Sequence, residues 1–212
     1  MIKGKLHQKP ARPKMPSSLP KLVAFDLDAT LWLPEMYELT GGAPFRRDAN
    51  GRVWDATGTE IKLMGASRSI LTTLSTESKF AGVQVAYVSR TEYPEWAVPC
   101  LKTFMIDETS GRCMFDVSSY HEIYPGCKRR HFKQIKEKSG ISFAEMLFFD
   151  NEFGNIRDCS NIGIVSIFTP NGMTADKWEE GLREFARQRP GPDEKEEFTP
   201  DSDIKTTENR KK

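Results

Sequence analysis

Short apolar runs alternate along the chain with segments whose apolar residues have helical spacing. Runs of four to seven residues that are bounded by turn residues are typical of buried strands. We predict four such strands and a weaker one within 113–124. The alternation predicts an α/β fold, a three-layer Rossmann-like parallel sheet with helices on both faces. The four clear runs are KLVAFD at 21–26, VQVAYVS at 83–89, EMLFFD at 145–150 and IVSIF at 164–168.

The segments between these runs predict five helices and one β-hairpin flap. Gly140 is expected to end the third helix, because glycine tolerates the backbone of a helix C-terminus. Turn signals at Asn50-Gly51 and Thr57-Gly58 predict a small antiparallel flap at about 33–64, straight after the first strand, with Asn50-Gly51 as a two-residue hairpin. This flap is too short to be a folded cap domain. The helices are predicted within 65–79, 94–104, 128–140, 151–163 and 175–188.

The chain of 212 residues suits one domain, which we place at 20–189. We expect a disordered basic leader at 1–19 and a disordered polar tail at 190–212, because both are rich in proline and poor in apolar residues. The net charge of +1 gives no general attraction to nucleic acid or to membranes, so neither is expected as a partner. Four cysteines without a CxxC pair indicate reduced thiols in a cytoplasmic protein, with the nucleus as an alternative.

Polar side chains collect where the predicted strands end. In an open parallel sheet these ends share one edge, where ligands bind. Clustered carboxylates there need a neutralising cation such as Mg²⁺, and a lysine and an arginine beside that cation need an anion between them. A phosphoryl group meets both requirements. The residues are Asp26, Asp28 and Thr30 after the first strand, Ser89 and Arg90 after the second, Lys128 after the third, and Asp150 and Asn151 after the fourth.

Each of these motifs alone is weak. Asp28 could cap a turn, and Asp26 could form an ion pair with Lys128 without any catalytic role. The complete set, in order and at four strand ends, favours a catalytic site over chance.

The motifs FDLDATLW, SRT, EIYPGCK and FFDNE resemble, in this order, those of the haloacid-dehalogenase-type phosphatases. The likeness covers about residues 20–188, and it is closest to the magnesium-dependent phosphatases, which lack a large cap. The resemblance implies that Asp26 is the nucleophile and forms an aspartyl-phosphate, while Asp28 is first the general acid and then the general base. It also implies a Mg²⁺ site made by Asp26, the backbone carbonyl of Asp28, and the pair Asp150-Asn151.

The same resemblance implies how the phosphate is held. Ser89, Lys128 and the backbone N–H of Leu27 would bind its oxygens, and Arg90 would bind the phosphate or a second acid of the substrate. Asn151 departs from the branch, which often has an acid there, but its amide oxygen can still bind Mg²⁺. From Ala29, a further variation, we expect no consequence.

The expected activity is that of a Mg²⁺-dependent phosphomonoesterase. A site without a large cap favours bulky substrates, so we expect phosphotyrosine-type or protein-linked sugar phosphates, with small phosphate esters also accepted. Two alternatives stay open: a serine phosphatase of the C-terminal-domain type, and a non-catalytic module with a phosphatase fold. The sequence makes no prediction of oligomeric state.

The remaining aromatic and basic residues are assigned no chemistry. Trp32, Tyr37 and Trp54 are expected to pack the flap on the body rather than to line the substrate mouth. His121 and His131 are expected to support the neighbourhood of Lys128 rather than to catalyse. The basic run at 128–138 is expected to be a solvated helix face.

Overall fold

The computed structural model describes residues 18–189. The predicted tail at 190–212 and residues 1–17 of the predicted leader lie outside the described residues. Leu19 already packs against the core.

The five strands of the central sheet agree with the predicted order. Of the six further strands, four belong to the flap and two to a separate hairpin. In chain order the strands are β1 Leu22–Phe25, β2 Trp32–Leu33, β3 Arg46–Arg47, β4 Val53–Trp54, β5 Glu60–Leu63, β6 Gln84–Ser89, β7 Met105–Asp107, β8 Arg112–Cys113, β9 Tyr120–Ile123, β10 Met146–Asp150 and β11 Val165–Phe168.

The five predicted helices are all present, and a sixth helix of one turn precedes β9. Pro99 lies inside the second helix without ending it, and Gly140 closes the fourth with a left-handed backbone at φ 72°. The helices are α1 Ser67–Thr76, α2 Pro94–Thr103, α3 Met114–Val117, α4 Lys128–Ser139, α5 Phe153–Ser160 and α6 Ala175–Gln188.

The central sheet has the order β11-β10-β1-β6-β9, and all of its pairs are parallel. Its register aligns Phe25 of β1 with Phe149 of β10 and Tyr87 of β6. The polar residues that follow these three positions therefore reach the same edge of the sheet. Strand β1 is buried along its whole length, as expected for a central parallel strand between two helical layers.

Separate hydrophobic clusters cover the two faces of the sheet, which confirms the three-layer architecture. One face includes Phe25, Phe149 and residues of α6 such as Trp178, while the other includes Phe148 and Phe132 of α4. Helix α6 lies close to the sheet because Gly181 faces Phe149: a Cβ at this glycine would stand 2.5 Å from the ring. None of the helices between residues 18 and 189 combines the length and the apolar character needed to cross a bilayer.

The flap is a four-stranded antiparallel sheet in the order β2-β5-β4-β3. Its first turn runs from Asp48 to Arg52, so the predicted two-residue hairpin at Asn50-Gly51 is wrong. The Asp48 carboxylate accepts the backbone N–H of Asn50 at 2.9 Å and of Arg52 at 3.0 Å, which stabilises a longer loop. The second turn repeats this arrangement around Asp55.

The hairpin β7–β8 was not predicted. Its strands have three and two residues, and no apolar alternation marks so short a pair. Arg47 of the flap forms an ion pair with Glu108 in its turn. This ion pair thus connects the flap to the hairpin.

Candidate active site

A pocket of about 410 Å³ opens at the carboxyl edge of the central sheet. Eight residues were predicted to catalyse or to bind the phosphate or the metal ion, and the structure brings six of them to the wall of this pocket. The other two lie behind it: Leu27 has its side chain in the core, and Asp150 is fully buried. The six lining residues are Asp26, Asp28, Ser89, Arg90, Lys128 and Asn151.

Lys128 lines this pocket with its side chain, which contacts the ends of several strands. It is the first residue of α4, and its side chain is only 1% exposed. Its ammonium contacts a carboxylate oxygen of Asp26 and the backbone carbonyl of Val88, and it lies 3.2 Å from Oδ2 of Asp150. A single cation thus joins the ends of β1, β6 and β10.

Burial and charge act in opposite directions on these groups. Burial raises the pKa of Asp26, Lys128 lowers it, and Asp150 and Asp28 raise it again, which places this pKa at about 8. Burial alone would lower the pKa of Lys128, but Asp26 and Asp150 raise it by more, so the ammonium stays protonated. Three carboxyl groups, Asp26, Asp28 and Asp150, thus share one lysine, and a further cation beside them would favour the ionised form of Asp26.

Asp28 is held through one of its two oxygens. Its Oδ1 accepts the indole N–H of Trp32 at 2.7 Å and the backbone N–H of Met36 at 3.1 Å. No donor in the described part of the chain bonds Oδ2. Burial raises the pKa of Asp28, and the two hydrogen bonds offset part of this effect. Asp28 is thus fixed with one oxygen available to the pocket.

The loop that carries both aspartates is tightly wound. The carbonyl of Leu27 accepts the N–H of Leu31 at 2.8 Å, and the N–H of Ala29 donates to the carbonyl of Trp32 at 2.9 Å. Ala29 has φ 54°, where a Cβ is costly. The expectation that this position has no consequence is therefore wrong: the turn between the two aspartates requires a left-handed residue.

The end of β10 is connected to the same loop. The hydroxyl of Thr30 accepts the N–H of Asn151 at 3.1 Å and lies 3.2 Å from its Oδ1. The amide of Asn155 donates to Oδ2 of Asp150 at 3.0 Å and to Oδ1 at 3.2 Å. Sequence reasoning assigned no role to Asn155. Its signal in the sequence was the pair Asn155-Ile156, which resembles the magnesium-dependent phosphatases.

Asn155 also connects Asp150 to Arg90. The guanidinium of Arg90 donates to Oδ1 of Asn155 at 3.2 Å and lies 3.4 Å from a carboxylate oxygen of Glu152. About half of the Arg90 side chain is exposed. Ser89 beside it is buried, and its hydroxyl accepts the N–H of Thr91 at 3.2 Å.

The mouth of the pocket is formed by aromatic and acidic side chains. Tyr37 lines it and is 64% exposed, so the expectation that this residue only packs is wrong. Tyr93, Glu35 and Glu92 also line it, and Tyr93 stacks on Trp96 with ring centroids 4.6 Å apart.

Trp32 and His131 behave as expected, whereas the contacts of Trp54 lie within the flap. Trp32 is fully buried and stacks on Phe104, in addition to its bond to Asp28. Trp54 is half-buried in the flap and donates to Asp48 at 3.2 Å. His131 is buried, with its ring nitrogens 2.9 Å from the carbonyls of Cys127 and Tyr124, and so supports the loop before Lys128.

The donor set fits a hard divalent cation. Within residues 18–189 no three His, Cys, Asp or Glu side chains surround a common metal position. A cation here would be bound by the carboxylates Asp26 and Asp150 together with neutral oxygens, from the amide of Asn151 and the backbone of Asp28. Magnesium in proteins prefers such a small set of oxygens, completed by water and phosphate. A divalent cation would also oppose the raised pKa of Asp26 and so favour its carboxylate form.

The family model described as acid phosphatase matches residues 18–188. The human protein Magnesium-dependent phosphatase 1 is 37% identical over 174 residues, covering 82% of this chain and 92% of its own. A HAD-like hydrolase superfamily protein of Schizosaccharomyces pombe is 35% identical over 148 residues, covering 68% of this chain and 83% of its own.

The fold has solved counterparts. The phosphatase-domain part of a Bacteroides fragilis protein, in complex with Mg, superposes with a TM-score of 0.50 at 15% identity, covering 82% of this chain and 41% of that one. At this identity the likeness concerns the fold alone. The family match covers almost all of the described residues. The chain therefore belongs to the acid phosphatase family, and it is a phosphatase of the haloacid-dehalogenase type.

Proposed function

We propose that the protein is a Mg²⁺-dependent phosphomonoesterase that acts through an aspartyl-phosphate on Asp26. The observation that carries this proposal is the buried group of Asp26, Lys128 and Asp150, which opens into a pocket beside the fixed carboxyl of Asp28. A buried, incompletely neutralised carboxylate at the floor of an open pocket is costly for folding, and it is explained when it reacts with a ligand.

The reaction proceeds in two steps. A carboxylate oxygen of Asp26 attacks phosphorus, the bond from phosphorus to the ester oxygen breaks, and Asp28 gives its proton to the departing oxygen. Water then attacks phosphorus and gives a proton to Asp28, so that phosphate leaves and the Asp26 carboxylate is restored. One carboxyl thus forms the bond to phosphorus while the other moves protons. The bonds from Trp32 and Met36 keep Asp28 oriented for both steps.

Magnesium would be held by Asp26, the backbone carbonyl of Asp28, Asp150 and Asn151. When bound, it supplies positive charge that lowers the repulsion between the Asp26 carboxylate and a phosphate. Lys128 provides a further positive charge beside Asp26.

The phosphate oxygens would be bound by Ser89, Lys128 and the backbone N–H of Leu27. Arg90 stands at the pocket wall with about half of its side chain exposed, so it can reach the phosphate or an acidic group of the substrate. Its contacts to Glu152 and Asn155 hold the guanidinium in place without neutralising it fully.

The substrate class we propose is phosphotyrosine-type or protein-linked sugar phosphates. Three features support it: the pocket is open, the described residues include no separate cap domain over it, and Tyr37 is exposed at the mouth. An exposed tyrosine can stack on a planar or sugar ring, and such contacts are worth about 1 kcal/mol.

A substrate panel tests this proposal. We expect kcat/KM to be higher for phosphotyrosine peptides or peptide-linked sugar phosphates than for phosphoserine peptides, and Tyr37→Ala to reduce the preference about fivefold. Phe153→Ala is the matched control, since Phe153 is also 64% exposed but does not line the pocket. A strong phosphoserine preference would instead assign the C-terminal-domain type. No turnover of any phosphate ester by folded, Mg²⁺-loaded protein would assign a binding module.

A further inference from the structure

Helix α4 carries a basic face that the active site does not use. Beyond Lys128, its side chains Arg129, Lys133 and Lys136 line a groove of about 470 Å³ together with Glu137, Phe143 and Ile162. The floor of this groove is apolar, and the Lys136 ammonium lies 4.8 Å from the centre of the Phe143 ring. We call this surface the α4 groove. Basic walls around an apolar floor suit an acidic segment that carries an apolar anchor.

The chain leaves the described domain directly beside this groove. Arg189, the last described residue, donates to the carbonyl of Ala144 at 3.0 Å and to that of Gly163 at 3.2 Å. Ala144 and Gly163 each follow a residue of the groove, Phe143 and Ile162 respectively. The Arg189 guanidinium is thus bound beside Phe143 and Ile162, and the chain leaves the domain near this side of the α4 groove.

The sequence that follows complements the groove. Residues 193–203 read DEKEEFTPDSD, with six acids and one lysine, and Phe198 is their only aromatic residue. The seven residue-to-residue steps from Arg189 to Glu196 can span up to about 23 Å, and the distance along α4 from Lys136 to Arg129 is about 10 Å. The acidic segment can thus reach every basic residue of the groove.

We propose that segment 193–203 of this chain binds the α4 groove, with Phe198 against Phe143 and Ile162 and the acidic residues facing Lys133, Lys136 and Arg129. Because segment and groove belong to one chain, their effective concentration is in the millimolar range, so weak contacts suffice. This proposal is independent of the phosphatase reaction, since no residue of the groove lines the catalytic pocket. It gives a role to the basic face of α4 and to the acidic stretch after α6.

A photocrosslinking experiment on the full chain tests the proposal. A benzophenone amino acid replaces Phe198, dilute protein is irradiated at two concentrations, and the crosslinked peptides are identified by mass spectrometry. We expect intramolecular crosslinks to the peptides that contain Phe143, Ile162 or Lys133. The yield should fall about tenfold in Lys133→Glu/Lys136→Glu, the scale expected when several exposed ion pairs are reversed together, and it should fall at high salt.

Two further variants make the result specific. Glu196→Lys/Glu197→Lys in the Lys133→Glu/Lys136→Glu background should restore the crosslink, because the charges are exchanged. Lys62→Glu/Lys79→Glu makes the same charge change on the exposed flap and α1 side of the molecule, and it should leave the yield unchanged. Hydrolysis of para-nitrophenyl phosphate reports on folding, and we expect no change in it.

Three results would overturn the proposal. Crosslinks that are absent from the groove, or that persist unchanged after the charge reversal, would mean that the segment does not recognise it. Crosslinks only between molecules, with a yield that rises with concentration, would assign the groove to a second copy of the chain.

Discussion

Aspartates at the catalytic edge and in the flap have the same chemistry but opposite surroundings. In the flap, the fully buried Asp55 accepts backbone N–H groups from Gly41, Thr57 and Thr59. Burial raises the pKa of Asp55, but these bonds lower it by more, so it lies below its ordinary value. At the catalytic edge, burial raises the pKa of Asp26 and Lys128 offsets only part of this effect, so that the pKa is about 8.

The difference separates a structural carboxylate from a reactive one. Asp55 and Asp48 satisfy their oxygens with donors of the flap itself and thereby determine its shape. Among residues 18–189, only Lys128 bonds the Asp26 carboxylate, and it comes from a helix 102 residues away in the chain. A carboxylate that the fold leaves incompletely bonded remains available to a metal ion and a phosphate. Mutations in the flap should therefore mainly lower the free energy of unfolding, and mutations at the catalytic edge should mainly lower kcat.

Lys128→Met should have the largest effect, since it leaves Asp26 and Asp150 buried without their cation. We expect the kcat for para-nitrophenyl phosphate to fall about 10³-fold, and the free energy of unfolding to fall by about 3 kcal/mol. Steady-state kinetics and urea denaturation measure the two effects. Lys177→Met, which removes an exposed pair with Glu180, is the control and should change neither. Near-normal turnover in Lys128→Met would remove the lysine from the reaction.

Asp55→Ala should lower stability without lowering kcat. Several donors around it would lose their acceptor, so we expect the free energy of unfolding to fall by about 2–3 kcal/mol. The kcat of the folded protein should stay unchanged, because Asp55 does not line the pocket. Asp48→Ala, at a more exposed turn, should destabilise less. The contrast between flap and catalytic edge fails if Asp55→Ala lowers kcat while stability is kept.

A pair of tryptophans allows a matched test. Trp32 donates to Asp28 at 2.7 Å and Trp54 donates to Asp48 at 3.2 Å, each through the indole N–H. Phenylalanine removes this donor and keeps most of the packing. We expect Trp32→Phe to lower kcat about tenfold, because Asp28 loses a bond that orients it, and Trp54→Phe to leave kcat unchanged. Equal kcat values for the two variants would argue against the positioning role of Trp32.

Substitution of Glu145, which lies at the opposite edge of the sheet, should have the smallest effect on stability. Hydrogen bonds from Lys21 and Ser142 lower its pKa to about 2, against an ordinary value of 4.5. A lowered folded pKa stabilises the protein above about pH 4.5, and this contribution is lost as the pH falls toward 2. Because the Lys21–Glu145 pair is largely exposed, we expect only about 0.5–1 kcal/mol. Thermal unfolding of Glu145→Gln should therefore be less sensitive to pH between 4.5 and 2 than that of the parent, and an identical pH dependence would contradict this.

The central sheet and most of the site could be predicted because their signals are local. The run ending in Asp26 and the run ending in Asp150 are apolar enough to identify as strands, and parallel strands bring their ends together. The same reasoning placed Lys128 beside both. The flap was located by its turn residues, but its first turn was assigned the wrong length. The sequence did not indicate that the Asp48 side chain would bond two backbone groups of the loop.

The features that could not be predicted depend on side-chain or backbone orientation, or on contacts between residues far apart in the sequence. The bond from Trp32 to Asp28 requires the indole to point back toward the loop, which no spacing specifies. The connection of Asn155 to both Asp150 and Arg90 joins three elements. The left-handed backbone of Ala29 could not be predicted either, because alanine carries no such preference.

The most direct test of the catalytic edge is hydrolysis of para-nitrophenyl phosphate by purified protein, with Mg²⁺ and with EDTA, beside Asp26→Asn. We expect turnover that requires Mg²⁺ and falls at least about 10³-fold in Asp26→Asn, because an amide cannot act as the nucleophile. The variant should stay folded, since the substitution keeps the side-chain shape and removes a buried charge. Turnover that persists in Asp26→Asn, or that is unaffected by EDTA, would contradict the proposed reaction.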